Sequence, residues 1–218
     1  DPYGSGDNSI CGNGDKPTGS MAPALANALI EAYDVPVGII PAAKSGAGLA
    51  YDAKYLYWTG DAEHPGRNPE NPADRSTLYG NSIYRAWEAG GCEYIVMNGG
   101  EHDVSLKRTG EEFKQDLETL IGYYRQDLPG VPFIYCQLGA CKSGSWDSPE
   151  YDESITGIRN AMWEVNDPDN GVYVAAVEQG LPQREDNIHY TLQSQAIIGA
   201  RVAHVIEYIL GDETYYLP

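Results

Sequence analysis

"TGEEFKQDLETLIGYYRQDLPGVPFIYCQLG", residues 109–139, decides the fold. Thr109 with Glu112 three residues on is the pattern of a capping box, and a long amphipathic helix follows over 109–128. A short turn leads into "PFIYCQLG" (132–139), an apolar run of strand length, as expected for a strand covered on both faces. Helix, tight connection and doubly buried strand together form the repeating unit of an α/β chain.

The same unit recurs on either side. Towards the N-terminus, a helix over 77–89 precedes the apolar "EYIVMNGG" (93–100). Before it, "SMAPALANALIEAY" (20–33) precedes "VPVGIIPAA" (35–43), with Ser20 as N-cap and Pro23 in the first turn. Towards the C-terminus come a helix near 149–166, the strand "GVYVAAVE" (171–178) and a closing helix over 191–210. Residues 1–19 are rich in Gly, Asp and Asn and read as loop. Residues 59–76 form a long polar loop, of a length that in compact domains usually serves function. The expectation is one domain over 1–218, an α/β three-layer α/β/α sandwich around a parallel sheet, flavodoxin-like in plan. Its active site should lie at the carboxyl ends of the strands.

Composition narrows the partners. A net charge of −18 excludes the clustered basic face that nucleic acid or an anionic membrane needs. No apolar run reaches the 18 or so residues of a membrane span. The acidic, tyrosine-rich chain (17 Tyr against 2 Phe) fits an extracellular, secreted or periplasmic setting, with any signal peptide already removed. Of the four cysteines, Cys136 and Cys141 could close a short loop and Cys11 could reach Cys92, the alternative being buried free thiols. No CxxC pair suggests zinc.

Three polar stretches fall at strand ends. In "DNIHYT" (186–191), Asp186 stands three residues before His189, so the acid can hold one ring nitrogen while the other serves as general base. The structural alternative is that Asp186 caps the last helix and His189 packs at its start. "AAKSGAGLA" (42–50) puts small residues after a strand, where glycine lets backbone N–H groups face an oxyanion or simply makes a tight connection. "VMNGGEHDV" (96–104) supplies Asn98, Glu101, His102 and Asp103. His102 and Asp103 suggest a metal pair, but no further ligand lies nearby, so no metal or cofactor is expected.

Order and context add specificity. The blocks "GSMAPALANALIEAYDVPVGIIPAAKSGAG", "MNGGEHD", "YYRQDLPGVPFIYCQLG" and "DNIHYTLQSQAIIGARVAHVI" run from about 18 to 210. Together they resemble the SGNH (GDSL-like) hydrolase superfamily, in particular its sialate O-acetylesterase-like carbohydrate esterases. The resemblance implies a serine esterase removing acetyl groups from sugars, with His189 as general base and Asp186 as its partner. Gly46 would sit at the oxyanion position, and Glu101 and Asp103 at the "GE.D" positions, with Glu101 a site-supporting acid. Gly99 stands where the family carries Gln, so Asn98 is the substitute side-chain donor. Tyr51 lies near the place of the family's tryptophan.

The family's first strand ends in a "GDS" or "GQSN" turn with the nucleophilic serine, and no such block is evident. Gly6-Asp7-Asn8-Ser9 makes Ser9 the nearest match, without an apolar strand before it. Ser20 reads as a cap and Ser45 as part of the oxyanion block. The strand count agrees, with four strands found where this fold has five and the first, central strand missing. Unpaired buried backbone groups cost roughly 1–3 kcal/mol each, so another polypeptide should supply that strand, or the sheet is rearranged. The expectation is the C-terminal piece of a processed or incomplete esterase acting on an acetylated carbohydrate. The alternative is a catalytically inactive carbohydrate-binding or assembly module on the same fold.

Overall fold

The computed structural model describes residues 20–212, apart from 55, 143 and 145. Ser9 and Cys11 therefore lie outside the described residues. The elements run α1 (Ala22–Tyr33), β1 (Gly48–Ala50), β2 (Tyr57–Gly60), α2 (Leu78–Glu88), β3 (Ile95–Met97) and α3 (Glu101–Ser105). They continue through α4 (Gly110–Asp127), β4 (Phe133–Gln137), α5 (Pro149–Glu164), β5 (Val172–Val177) and α6 (Leu192–Ile209).

Strands β3, β4 and β5 form a parallel sheet in that order, with Ile95 opposite Phe133 and Phe133 opposite Val172. Every residue of β4 is buried, and successive side chains go to opposite faces. Phe133 and Tyr135 join Val172 and Val174 in a core with α4 and α5 residues such as Phe113, Leu117 and Ile158. Ile134 and Cys136 join Tyr173 and Ala175 against Leu25 and Leu29 of α1 and Val202 and Ile206 of α6. Helices thus cover both faces, as the alternation predicts. The capping box at Thr109 is present in full, the Glu112 N–H donating to Thr109 Oγ1 at 3.2 Å and the Thr109 N–H to Glu112 Oε2 at 2.9 Å.

Four local expectations are corrected. Ser20 is not the N-cap of α1; Met21 holds that position without a side-chain cap bond, and the Ala22 N–H reaches Ser20 Oγ at 3.3 Å. The stretch after the glycine turn holds a short parallel pair, β1 with β2. The helix α3 interrupts what reads as polar loop. Residues 35–43 carry no ladder among the described residues.

The last difference has a physical cause. A parallel strand exists only through a neighbour, and apolar content alone supplies none. Val37 and Ile39 still pack on the α1/α6 core, and Arg85 of α2 donates to the Pro41 carbonyl. Among the described residues the outer edge of β3 is equally unpaired. Ile95 donates to Pro132 on the β4 side, so by the alternation of a parallel ladder Val96 turns its N–H and C=O away from β4. Tyr94 and Val96 border the same α1/α6 core as Val37 and Ile39.

Candidate active site

The loop after β5 is built tightly. Arg184 N–H donates to the His189 carbonyl at 2.8 Å and Asn187 N–H to the Arg184 carbonyl at 3.0 Å, with Asn187 in the left-handed region (φ 56°). Lys142 N–H donates to the Asn187 carbonyl at 3.1 Å, anchoring the loop to the chain after β4. Within it, Asp186 Oδ1 accepts from the N–H groups of Ile188 (3.0 Å) and His189 (2.8 Å), while Oδ2 lies 3.0 Å from His189 Nδ1. Burial works to raise the Asp186 carboxyl, but the two N–H groups and the imidazole outweigh it and bring it down to about 2. A carboxylate there fixes the ring and engages Nδ1, so that Nε2 is the nitrogen left to take a proton. The helix-capping alternative fails: Thr191 caps α6, its Oγ1 accepting from the Ser194 N–H at 3.2 Å.

The block after β3 divides its labour. Glu101 opens α3, where burial pushes its carboxyl up and the nearby His189 imidazole pulls it down, so the two share one electrostatic environment. His102 turns away to Asp52, Nε2 to Oδ2 at 3.0 Å. Asp103 is 1% exposed and accepts from the Leu49 N–H at 3.1 and 3.2 Å, its neighbour Ala50 also donating. Burial pushes Asp103 up to about 7 against those bonds. His102 and Asp103 therefore serve separate partners, and no group of three or more His, Cys, Asp and Glu among the described residues is placed to hold a metal.

Asp103 thus pins the chain just after the glycine turn, where Gly46 takes φ 73° in an exposed bend. Asp103→Ala leaves the Leu49 and Ala50 N–H groups without an acceptor and should lower unfolding free energy by about 2 kcal/mol in a urea titration. A carboxyl raised in the folded state loses stability as pH climbs from its ordinary value near 4 to about 7. Asp103→Asn should accordingly cost less at pH 8 than at pH 5.

Asn98 is engaged elsewhere than at an oxyanion: its Nδ2 donates to Glu178 Oε1 at 2.9 Å. Glu178, directly after β5, is a buried acid that the sequence reading passed over; an acidic residue closing an apolar strand was the available signal. Ser45 and Gly46 make no hydrogen bond to Asp186 or His189. Among the described residues no serine hydroxyl is bonded to His189, whose ring partner is Asp186. Cys92, Cys136 and Cys141 are free thiols, so of the two readings left open for Cys136 and Cys141 the free-thiol one holds. Cys136 projects from β4 into the α1/α6 core.

A sequence model of the carbohydrate esterase family described as sialic acid-specific acetylesterase matches residues 12–207. A probable carbohydrate esterase of Arabidopsis thaliana is 26% identical over 200 residues, covering 89% of this chain and 63% of the relative. The chain therefore spans just under two-thirds of that relative's length. The X-ray structure of the same Arabidopsis protein aligns with a TM-score of 0.59 at 20% identity, over 90% of this chain and 71% of the other, which shows the shared fold. A carbohydrate esterase family 3 structure from Talaromyces cellulolyticus aligns with a TM-score of 0.46 at 15% identity, over 71% and 72%. The family model spans both the α/β core and the Asp186–His189 loop, and the chain belongs to the carbohydrate esterases of the sialic acid-specific acetylesterase family.

Proposed function

We propose that this domain is the acid–base part of a carbohydrate O-acetylesterase, and that the nucleophilic serine arrives on a strand added to the outer edge of β3. The observation that carries it is the Asp186–His189 pair, held at 3.0 Å on a loop at the carboxyl end of the sheet. In this reading the serine attacks the acetyl carbonyl and His189 takes its proton. Backbone N–H groups near Gly46 hold the oxyanion, and water later releases acetate. Among the described residues the edge of β3 is unpaired and residues 35–43 carry no ladder, which supports the added strand, because each leaves backbone groups that a parallel neighbour would satisfy. That strand belongs to a preceding segment or a second polypeptide. The charge of −18 favours an acetylated neutral sugar over an anionic one, and with the tyrosine-rich composition it favours an extracellular or periplasmic setting.

A second reading, an inactive carbohydrate-binding or assembly module, draws on the lack of a serine bonded to His189 among the described residues. Denaturing mass measurement of native material, paired with acetate release from acetylated xylan and O-acetyl sialic acid, separates the two. Acetate release together with a strand and Gly-x-Ser turn, on a second peptide or in a chain heavier than 23.8 kDa, is the expected result. Release from a lone 23.8 kDa chain would overturn the added strand. No release from material that contains the strand would leave the binding module.

A further inference from the structure

Glu178 is 1% exposed, yet no cation among the described residues acts on it. Its Oε1 accepts from Asn98 Nδ2 at 2.9 Å, its Oε2 is buried without a hydrogen bond of normal geometry, and the Tyr190 hydroxyl and Gly139 N–H stand near enough to act on the carboxyl. Asn98 follows β3 and Glu178 follows β5, so the bond passes over the end of β4, the strand between them. Gly139 makes that crossing possible. A Cβ there would stand 2.0 Å from the Tyr190 hydroxyl and 2.8 Å from the Glu178 carbonyl oxygen. Tyr190, 5% exposed, is the residue after His189. One carboxyl group thus lies between the Tyr190 hydroxyl, in the chain that carries the proposed base, and Asn98, at the end of β3.

We infer that Glu178 is a positioning residue that works as a neutral carboxylic acid, clasping Asn98 at the end of β3 and Tyr190 beside His189. A carboxylate sealed from water with no counter-charge is costly, and retaining a proton removes the cost. The groups around it agree. Glu101 of α3 adds like charge, and Cys141, after β4, is pushed up to about 12 by burial and by those two acids. The arginines beside the flanking residues turn to neutral acceptors: Arg201 of α6 donates to the Val177 carbonyl at 2.5 Å, and Arg159 of α5 binds Gln179. Burial, then Glu101, push Glu178 up to about 8, although the Tyr190 hydroxyl, Asn98 and the Gly139 N–H pull the other way. Above that pH a second negative charge stands beside Glu101 and the clasp strains. Only the catalytic consequence rests on the esterase reading; the protonated clasp does not.

The sign follows from linkage. A carboxyl raised from near 4.5 to about 8 makes the folded state hold the extra proton. Stability is therefore full in acid and falls as pH rises towards 8. Glu178→Gln keeps the shape without the titration. In the purified chain, the melting temperature of Glu178→Gln relative to wild type should rise by about 10 °C between pH 5.5 and pH 9. Glu101→Gln removes the like charge, so the fall should end at a lower pH and less stability should be lost by pH 9. A constant offset between wild type and Glu178→Gln across the range would overturn the proposal. In active material, Glu178→Gln should abolish an alkaline fall in kcat between pH 7.5 and 9, and persistence of the fall would also overturn it. A pH-dependent stability difference without any acetate release would uphold the clasp and reject the esterase reading.

Discussion

His189→Ala is expected to lower kcat/KM for acetate release by about 10⁴-fold, the upper range for loss of a general base. The fold should be untouched, because the His189 side chain is 66% exposed and its ring binds only Asp186 among the described residues. The thermal midpoint should therefore stay close to wild type, as for most surface substitutions. Asp186→Asn should come near the same loss by releasing the ring from its required tautomer. Asp186, brought down to about 2, remains ionised through any assay above pH 4 and does not titrate there.

A built-in control sits elsewhere in the chain. "DAEH" (61–64) repeats the local geometry of "DNIH" (186–189). Asp61 Oδ1 accepts from the Glu63 and His64 N–H groups at 2.9 and 2.7 Å and lies 3.1 Å from His64 Nδ1. That imidazole stacks on Tyr51, ring centroids 3.9 Å apart, and lies beyond β2 and not after the main sheet. His64→Ala should leave acetate release unchanged. Equal losses in the two variants, or no loss in His189→Ala, would sink the assignment of the base.

The second large effect concerns stability. Asp127→Ala is expected to cost about 3–5 kcal/mol, because it strands a buried guanidinium. Arg67, from the long loop after β2, donates to Asp127 through Nε (2.8 Å) and Nη2 (2.7 Å), with side chains only 13% and 7% exposed. The Tyr79 hydroxyl of α2 completes the cluster, donating to Asp127 Oδ2 at 2.6 Å and approaching the Tyr123 carbonyl at 2.8 Å. Burial works to raise Asp127, but Arg67 and Tyr79 outweigh it and hold the carboxyl below its ordinary range. This contribution is present above pH 4 or so and is lost as pH falls through the depressed value. A drop of about 10 °C in the melting temperature at pH 7 is the corresponding shift. Replacing both partners together, as Arg67→Met with Asp127→Leu, should recover most of it, since no charge is then left unpaired. A single-variant loss under 1 kcal/mol would show that water reaches the pair.

The same cluster shows what a linear chain conceals. The length of 59–76 marked it as functional, yet its Arg67 is committed to a structural bond 60 residues away. The Asp-x-x-His spacing occurs twice with the same bonds, because three residues of separation suffice for an Asx-type turn to offer its carboxylate to the ring. Spacing alone does not distinguish the two histidines; position after β5, beside Glu101, does. Likewise "VPVGIIPAA" is apolar enough for a buried strand, but ladder hydrogen bonds require a neighbour, and none is present among the described residues.

Local chemistry was sufficient wherever the interacting groups lie within one or two turns: the Thr109 capping box, the α4–β4 alternation, the buried β4 and the Asp186–His189 pair. It was insufficient wherever the partner is remote in sequence. Asn98 reaches Glu178, Asp103 reaches Leu49 and Tyr190 settles over Gly139 only after the strands are side by side. Side-chain periods and caps are set by residues within about four positions of one another. Burial, and with it the state of a carboxyl group, is set by whatever the whole fold brings against it.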